Sequence, residues 1–144
     1  MPNTPSSVGE GMTVWTGTAS LSEAQRAFAN EMLSSLGDAA FVHEESFLDM
    51  ATALSGSGPA YVLLLAESMI ETGVHLGFPR ELSSRLAVQT LKGTAEYLRQ
   101  SGKDATTLRN DITSPGGTTA AAMYHLEKGN FRTVVADGIW VNKQ

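Results

Sequence analysis

The chain of 144 residues contains no cysteine, few basic residues and no long uninterrupted apolar run. Without cysteine, neither disulfide bonds nor thiolate chemistry can contribute to the fold or to an activity. Ten lysines and arginines stand against fifteen acidic residues, and the formal net charge of −5 argues against a nucleic-acid-binding module, which normally has a basic face. No apolar run reaches the roughly 18 residues that span a bilayer, and no signal-peptide pattern is present at Met1. We therefore expect a globular cytoplasmic protein that binds neither nucleic acid nor a membrane.

Several kinds of site are also missing from the sequence. The three histidines, His43, His75 and His125, are isolated and show no paired ligand spacing, so no metal site is predicted. The serine between Gly56 and Gly58 lacks the five-residue spacing of a hydrolase nucleophile elbow. Neither Gly-x-Gly pair is followed by a third glycine at the place that the dinucleotide fingerprint requires. The chain therefore lacks the loop that would hold a cofactor's pyrophosphate.

The residue pattern predicts a short β-α-β unit followed only by helices. The unit comprises a strand at 12–17, a helix at about 23–36 that Ser20 or Ser22 could cap and Gly37 could end, and a strand at 39–43. Further helices are predicted at 44–54, from 58 onward, at 79–100, at 105–110 with Asp104 as cap, before Gly129 and at 131–142. Two strands alone make a poor sheet. The prediction is a mainly α protein that divides into residues 1–45 and 46–144.

The helix that opens at Gly58 and Pro59 is unusually apolar. Between residues 61 and 70 it offers few positions that suit solvent, so we expect it to be buried nearly all round. A chain this short has little with which to cover such a helix. The pattern therefore indicates burial against a second subunit as well as against the chain itself.

A glycine-rich corner at 113–117 joins two predicted helices. Thr113 and Ser114 are candidate N-caps, and Pro115 suits the first helical position. Gly116 and Gly117 would let a ligand approach the backbone closely. The free N–H groups and the dipole of the next helix could then seat a carboxylate or a phosphate, together with two threonine hydroxyls. A capped helix start, with glycines for close helix packing, explains the same pattern.

Three segments resemble blocks of the pyrroline-5-carboxylate reductase family. They are Ile112–Thr119, Ala53–Tyr61 and Met1–Pro5, which follow the family's order and spacing. The resemblance implies that residues 1–45 are the last piece of a Rossmann-type domain and that residues 46–144 are an all-helical dimerisation and substrate-binding domain. It also implies an oxidoreductase of proline biosynthesis, which reduces the cyclic imine 1-pyrroline-5-carboxylate to L-proline with NADPH or NADH. The implied assembly is a homodimer or a higher oligomer.

The resemblance implies a set of substrate-site residues. Thr119 is the implied catalytic residue, because its hydroxyl would hydrogen-bond the ring nitrogen and orient the imine or relay a proton. The N–H groups of Gly117, Thr118 and Thr119 would anchor the substrate's carboxylate. Ser114 would shape or contact the same pocket, and Glu45 is implied to lie near it.

On the cofactor side the resemblance implies Asn3 and Asp111. The position of Asp111 can carry an amide in the family, and a carboxylate there would repel the 2′-phosphate of NADPH. The preference between NADPH and NADH is therefore left open. Two alternatives also stay open: a non-catalytic helical dimerisation or binding module derived from the family, and a related reductase acting on another imine or 2-oxo compound.

Overall fold

The computed structural model describes residues 1–142 of the chain. The elements, in chain order, are a 3₁₀ turn Thr4–Val8, β1 Gly11–Trp15, α1 Glu23–Ser34, β2 Gly37–Phe41, α2 Ser46–Ala51, a π-helix Thr52–Gly56, α3 Gly58–His75, α4 Arg80–Ser101, α5 Ala105–Asp111, α6 Thr118–Lys128 and α7 Phe131–Val141. Two compact units result: Met1–Val62 with the residues from Ala136 onward, and Leu63–Val135. The predicted mainly α fold with a short β-α-β segment at its start is confirmed.

The two strands pair in parallel, as the β-α-β pattern predicted. The register places Gly11 beside Gly37 and Trp15 beside Phe41. Along β1, Val14 also exchanges two hydrogen bonds with Met1, whose amino group lies 2.7 Å from the Val14 carbonyl oxygen. These two hydrogen bonds hold Met1 against the free edge of β1, and the sheet itself consists of β1 and β2.

Helix α1 begins at its predicted cap but does not end at the predicted residue. The Ser22 hydroxyl accepts the N–H of Gln25, and the Gln25 side chain accepts the N–H of Ser22, which together form a capping box. The C-cap is Ser35, so the interpretation of Gly37 as the helix stop is wrong. Gly37 instead opens β2 with φ at 138°, and a Cβ there would clash with the backbone of Gly11. The glycine is required by the close approach of the two strands.

The β-α-β segment is well packed on one side only. Thr13, Val14 and Trp15 of β1 are buried, whereas α1 contributes no buried residue. On that helix Phe28 and Met32 remain 64% and 58% exposed. Parallel sheets are normally covered on both faces, so this one-sided packing leaves an apolar surface that no described residue covers.

The helix predicted at 44–54 changes its winding before it ends. Regular α-helix runs only to Ala51 and then widens into the π-helix, in which the Ser57 N–H donates to the Thr52 carbonyl at 2.8 Å. The predicted end at Leu54 is therefore wrong. Side-chain patterns do not distinguish a π-turn from an α-turn, and such single-turn widenings often occur at functional sites.

Within this chain α3 is not buried all round, contrary to the sequence-based expectation. Ala66 is its buried residue, and Leu63 and Leu64 are 68% and 67% exposed. By length and composition alone, the continuous helical stretch Ser46–His75 is also apolar enough to cross a membrane, a test that core helices of soluble proteins pass as well. The apolar face of α3 therefore has no cover within the described residues.

The helices of the second unit begin and end close to their predicted residues. Gly102, with φ at 65°, ends α4, and the Asp104 carboxylate caps α5 by accepting the N–H groups of Thr106 and Thr107 at 3.0 and 3.1 Å. At the end of α6 the left-handed residue is Asn130, with φ at 58°. Gly129 itself has a negative φ, so it does not supply the left-handed turn.

Candidate functional site

The corner between α5 and α6 is a β-turn followed by a helix start. The Gly117 N–H donates to the Ser114 carbonyl at 3.1 Å. Pro115 occupies the second place of this turn and Gly116, with φ at 72°, the third, which is the pattern of a type II turn. Helix α6 then begins at Thr118, with Gly117 as its N-cap.

The capping predicted for this corner is wrong. Neither Thr113 nor Ser114 caps α6, and Pro115 is not its first residue. The Thr113 hydroxyl instead donates to the Arg109 carbonyl at 2.6 Å and so completes the end of α5. The fixed φ of proline suits the second place of a turn as well as the first turn of a helix, so the sequence alone did not decide between them.

The predicted seat for a carboxylate retains two of its three N–H groups. The Gly117 N–H is not free, because it bonds to Ser114. Thr118 and Thr119 are the first two residues of α6, so no helix carbonyl lies four residues before them. No other described residue accepts a hydrogen bond from their N–H groups. A Cβ on Gly117 would lie 2.6 Å from the Ser114 hydroxyl oxygen, so a side chain at position 117 would require this hydroxyl group to rotate away.

Two hydroxyl groups accompany these N–H groups. The side chain of Thr119 is half-buried and that of Thr118 is exposed. Among residues 1–142 neither hydroxyl has a protein hydrogen-bond partner. The start of α6 thus offers N–H and O–H groups, and the positive end of the helix dipole, to an anionic ligand.

Glu127 in α6 forms one ion pair with α5, the helix before the corner, and one with α7. Glu127 in α6 lies 2.7 Å from the Arg132 Nε and 4.0 Å from a terminal nitrogen of Arg109 in α5. These exposed pairs contribute little to stability. The longer pair places the Arg109 guanidinium group of α5 beside α6, and no sequence signal had indicated this arrangement.

Asp111 at the end of α5 is paired rather than free. The Lys103 ammonium donates to its carboxylate at 2.8 Å, and this hydrogen bond, with the charge of Asp111, raises the pKa of Lys103 above its ordinary value. The pairing offsets part of the negative charge that would repel a 2′-phosphate. The predicted role of Asp111 toward a cofactor stays a prediction.

Asn3 and Glu45, the other two predicted residues, lie in the first unit. The Asn3 side-chain oxygen accepts the Met12 N–H at 2.8 Å, and its NH₂ group donates to the Ser55 carbonyl at 3.0 Å. The oxygen and the nitrogen of this amide are therefore both used in hydrogen bonds within the first unit. Glu45 is exposed at the start of α2, and within the described residues its carboxylate has no partner.

The fold and the site define a class of protein: a mainly helical chain that opens with a short parallel β-α-β segment and has, at the start of α6, N–H and hydroxyl groups that no described residue pairs with. A family model described as pyrroline-5-carboxylate reductase dimerisation matches residues 45–143. The chain belongs to the pyrroline-5-carboxylate reductase dimerisation family.

Relatives and solved structures agree with this assignment. The pyrroline-5-carboxylate reductases of Synechocystis and Arabidopsis thaliana are 40% and 41% identical over 139 residues, which are 96% of this chain and 52% and 50% of theirs. The Plasmodium falciparum pyrroline carboxylate reductase with NADP bound is 39% identical, with a TM-score of 0.91 over 99% of this chain and 58% of that one. The Coxiella burnetii pyrroline-5-carboxylate reductase gives 35% identity and a TM-score of 0.95 over 99% and 53%. The chain spans about half the length of the curated relatives that it matches.

Proposed function

We propose that this chain is the substrate-binding and dimerisation part of a pyrroline-5-carboxylate reductase, which reduces the cyclic imine to L-proline with NADPH or NADH. The observation that carries the proposal is the start of α6, where the N–H and hydroxyl groups of Thr118 and Thr119 have no protein partner among the described residues. About 40% identity to named reductases supports the choice of substrate.

In the proposed site the start of α6 recognises both ends of the substrate. The ring carboxylate accepts the N–H groups of Thr118 and Thr119, which the helix dipole makes a favourable seat for an anion. The Thr119 hydroxyl hydrogen-bonds the ring nitrogen and fixes the orientation of the C=N bond. The Ser114 hydroxyl and the half-exposed Gly117 form the wall behind the carboxylate.

The described residues do not form a seat for the dinucleotide. No glycine-rich phosphate loop is present in the sequence, the Asn3 amide is engaged at both ends, and the Asp111 carboxylate is paired with Lys103. A nucleotide-binding domain of which residues 1–45 are the last piece would have to hold the cofactor. The Plasmodium relative binds NADP and is longer than this chain, which covers 58% of it, and residues 46–144 are the proposed helical domain.

The proposed partner of the helical domain is a second copy of the chain. An apolar groove of about 710 Å³ lies open between α3, α4 and α6 of the second unit. Its apolar lining includes Leu65, Met69, Leu76, Phe78, Leu86 and Leu126. The family model that covers these helices is named for dimerisation, which favours a second copy over a lipid bilayer as the cover of α3.

A steady-state assay tests the proposed activity. The chain is measured alone and as a joined chain, in which the nucleotide-binding domain of the Synechocystis relative precedes it. Oxidation of NADPH and of NADH is followed with 1-pyrroline-5-carboxylate, and the product is identified as L-proline. We expect turnover by the joined chain and none by the chain alone. A folded, dimeric joined chain without turnover would favour the non-catalytic module instead.

A further inference from the structure

Near the end of the π-helix, the carbonyl group of Ser55 finds no hydrogen-bond donor in the helical backbone that follows it. In a regular α-helix the carbonyl of Ser55 would accept the N–H of residue 59, but that residue is Pro59, which has no N–H. The next N–H along the chain, that of Ala60, donates to Ser57 instead, at 3.0 Å. The Ser55 carbonyl is thus left without a backbone donor in a half-buried segment, and an unmade hydrogen bond there is costly.

Asn3 supplies the missing donor from the other end of the first unit. Its NH₂ group donates to the Ser55 carbonyl at 3.0 Å across 52 residues of chain. Its oxygen accepts the Met12 N–H of β1 at 2.8 Å, so one amide bonds the strand and the π-helix at once. The Asn3 side chain is half-buried, and the two bonds together leave its amide plane little freedom to turn.

We propose that Asn3 is a positioning residue: a clamp that fixes the end of the nucleotide-binding segment to the start of the helical domain, at the carbonyl that Pro59 leaves unpaired. As a contribution to catalysis the clamp rests on the proposed reductase function. It acts through β1 and the π-helix and needs no contact with the cofactor. Two hydrogen bonds define this role, and a direct contact of Asn3 with the cofactor stays a prediction.

A double-mutant cycle on the 144-residue chain tests the clamp by stability. Pro59→Ala supplies an N–H at residue 59 and so makes the Asn3 donor redundant. We expect Asn3→Ala to lower the folding equilibrium constant about fivefold more with Pro59 present than with Pro59→Ala, because one hydrogen bond separates the two cases. Pro79→Ala, at the start of α4, is the matched control and should be additive with Asn3→Ala. Additive effects at Pro59 would overturn the proposal.

Asn3→Asp is the second variant, for the case in which Asn3→Ala does not fold. The carboxylate keeps an acceptor for the Met12 N–H, but it replaces the donor to Ser55 by a charged acceptor oxygen. The same dependence on Pro59 is expected, and its absence would again count against the clamp.

Kinetics of the joined chain separate a clamp from a cofactor contact. We expect Asn3→Ala to lower kcat by up to about a hundredfold, as misplaced reacting groups do, with an unchanged KM for NADPH and partial rescue by Pro59→Ala. A raised KM for NADPH without rescue would show that Asn3 binds the cofactor directly and would overturn the proposal. If the joined wild-type chain has no turnover, the proposed reductase function fails, and the stability cycle decides the clamp by itself.

Discussion

The hydroxyl group of Ser83 in α4 occupies the space in which a side chain at position 73 of α3 would have to lie. Ser83 is buried, and its hydroxyl donates to the Ile70 carbonyl at 2.8 Å. The two helices therefore meet through a serine on one and Gly73 on the other. The Ser83 hydroxyl group can occupy this position only because Gly73 has no side chain.

Replacing Gly73 by alanine should destabilise the chain. The new Cβ would push the Ser83 hydroxyl away from the Ile70 carbonyl, so crowding and a lost hydrogen bond add up to about 1–3 kcal/mol of unfolding free energy. Gly93→Ala is the matched control, because a Cβ at Gly93 in α4 meets nothing within 4 Å. That control should gain about 0.5–1 kcal/mol from helix propensity. Denaturant unfolding of the two variants measures the difference, and equal effects would contradict the contact.

Replacing Gly37 by alanine should disrupt the parallel strand pair. Its φ of 138° suits glycine, and a Cβ would clash with the backbone of Gly11, which cannot rotate away. Gly9→Ala is the control, because Gly9 also has a positive φ, at 75°, but open space around it, so only about 1–2 kcal/mol of strain is expected. Unfolding of both variants is followed by circular dichroism. If Gly37→Ala costs no more than Gly9→Ala, the close approach of the strands is not what requires glycine.

The parts of the fold that local chemistry determines were predicted from the sequence. Ser22 and Asp104 cap their helices with N–H groups two or three residues away, so the sequence next to them is sufficient. The role of Gly37 was missed because its reason is contact with Gly11, 26 residues earlier in the chain. The exposure of α3 was missed because its apolar face is covered by nothing within the described residues.

Acidification should weaken the cap of α5. A hydrogen bond from the Thr107 hydroxyl and the backbone N–H groups of Thr106 and Thr107 hold the pKa of Asp104 below its ordinary value. Because the folded-state pKa is the lower one, this contribution to stability is present above the unfolded-state pKa and is lost as the pH falls through the folded-state pKa. Carboxyl NMR titration of Asp104, with unfolding measured from neutral to acidic pH, checks this.

The control for that titration is Asp104→Asn. The amide oxygen can still cap α5, but it carries no charge that titrates in this range. The acid-dependent loss assigned to Asp104 should therefore disappear from the stability profile. A variant with an unchanged acid profile would show that other carboxylates cause the loss.

A charge on the exposed face of α3 should dissociate the proposed dimer. Leu63→Glu removes a leucine from each of two symmetric surfaces, which together contribute about 3 kcal/mol or more, so the dimer dissociation constant should rise about a hundredfold. Val8→Glu is the control, because Val8 is equally exposed but lies outside the dimerisation match at residues 45–143. Sedimentation velocity over a concentration series measures both. A Leu63→Glu chain that dimerises like the control would exclude this face.

The local structure of the predicted corner differs from the sequence-based expectation, and its role as a substrate site stays a prediction. The corner residues from Ser114 to Thr119 lie together, because they are consecutive in the chain. The Gly117 N–H was wrongly expected to be free, since proline and glycine fit a type II turn and a helix start equally well. The engagement of Asn3 with Ser55 could not be foreseen, because it joins residues 52 positions apart through a carbonyl group.

The start of α6 is the proposed substrate site, and the turnover of Thr119 variants in the joined chain tests it. Thr119→Ser keeps the hydroxyl that would bond the ring nitrogen, whereas Thr119→Val keeps the shape and removes the hydroxyl. We predict that valine lowers kcat by about a hundredfold or more and that serine retains most of the activity. A valine variant that reduces 1-pyrroline-5-carboxylate as fast as the wild-type joined chain would show that the Thr119 hydroxyl group does not act on the substrate.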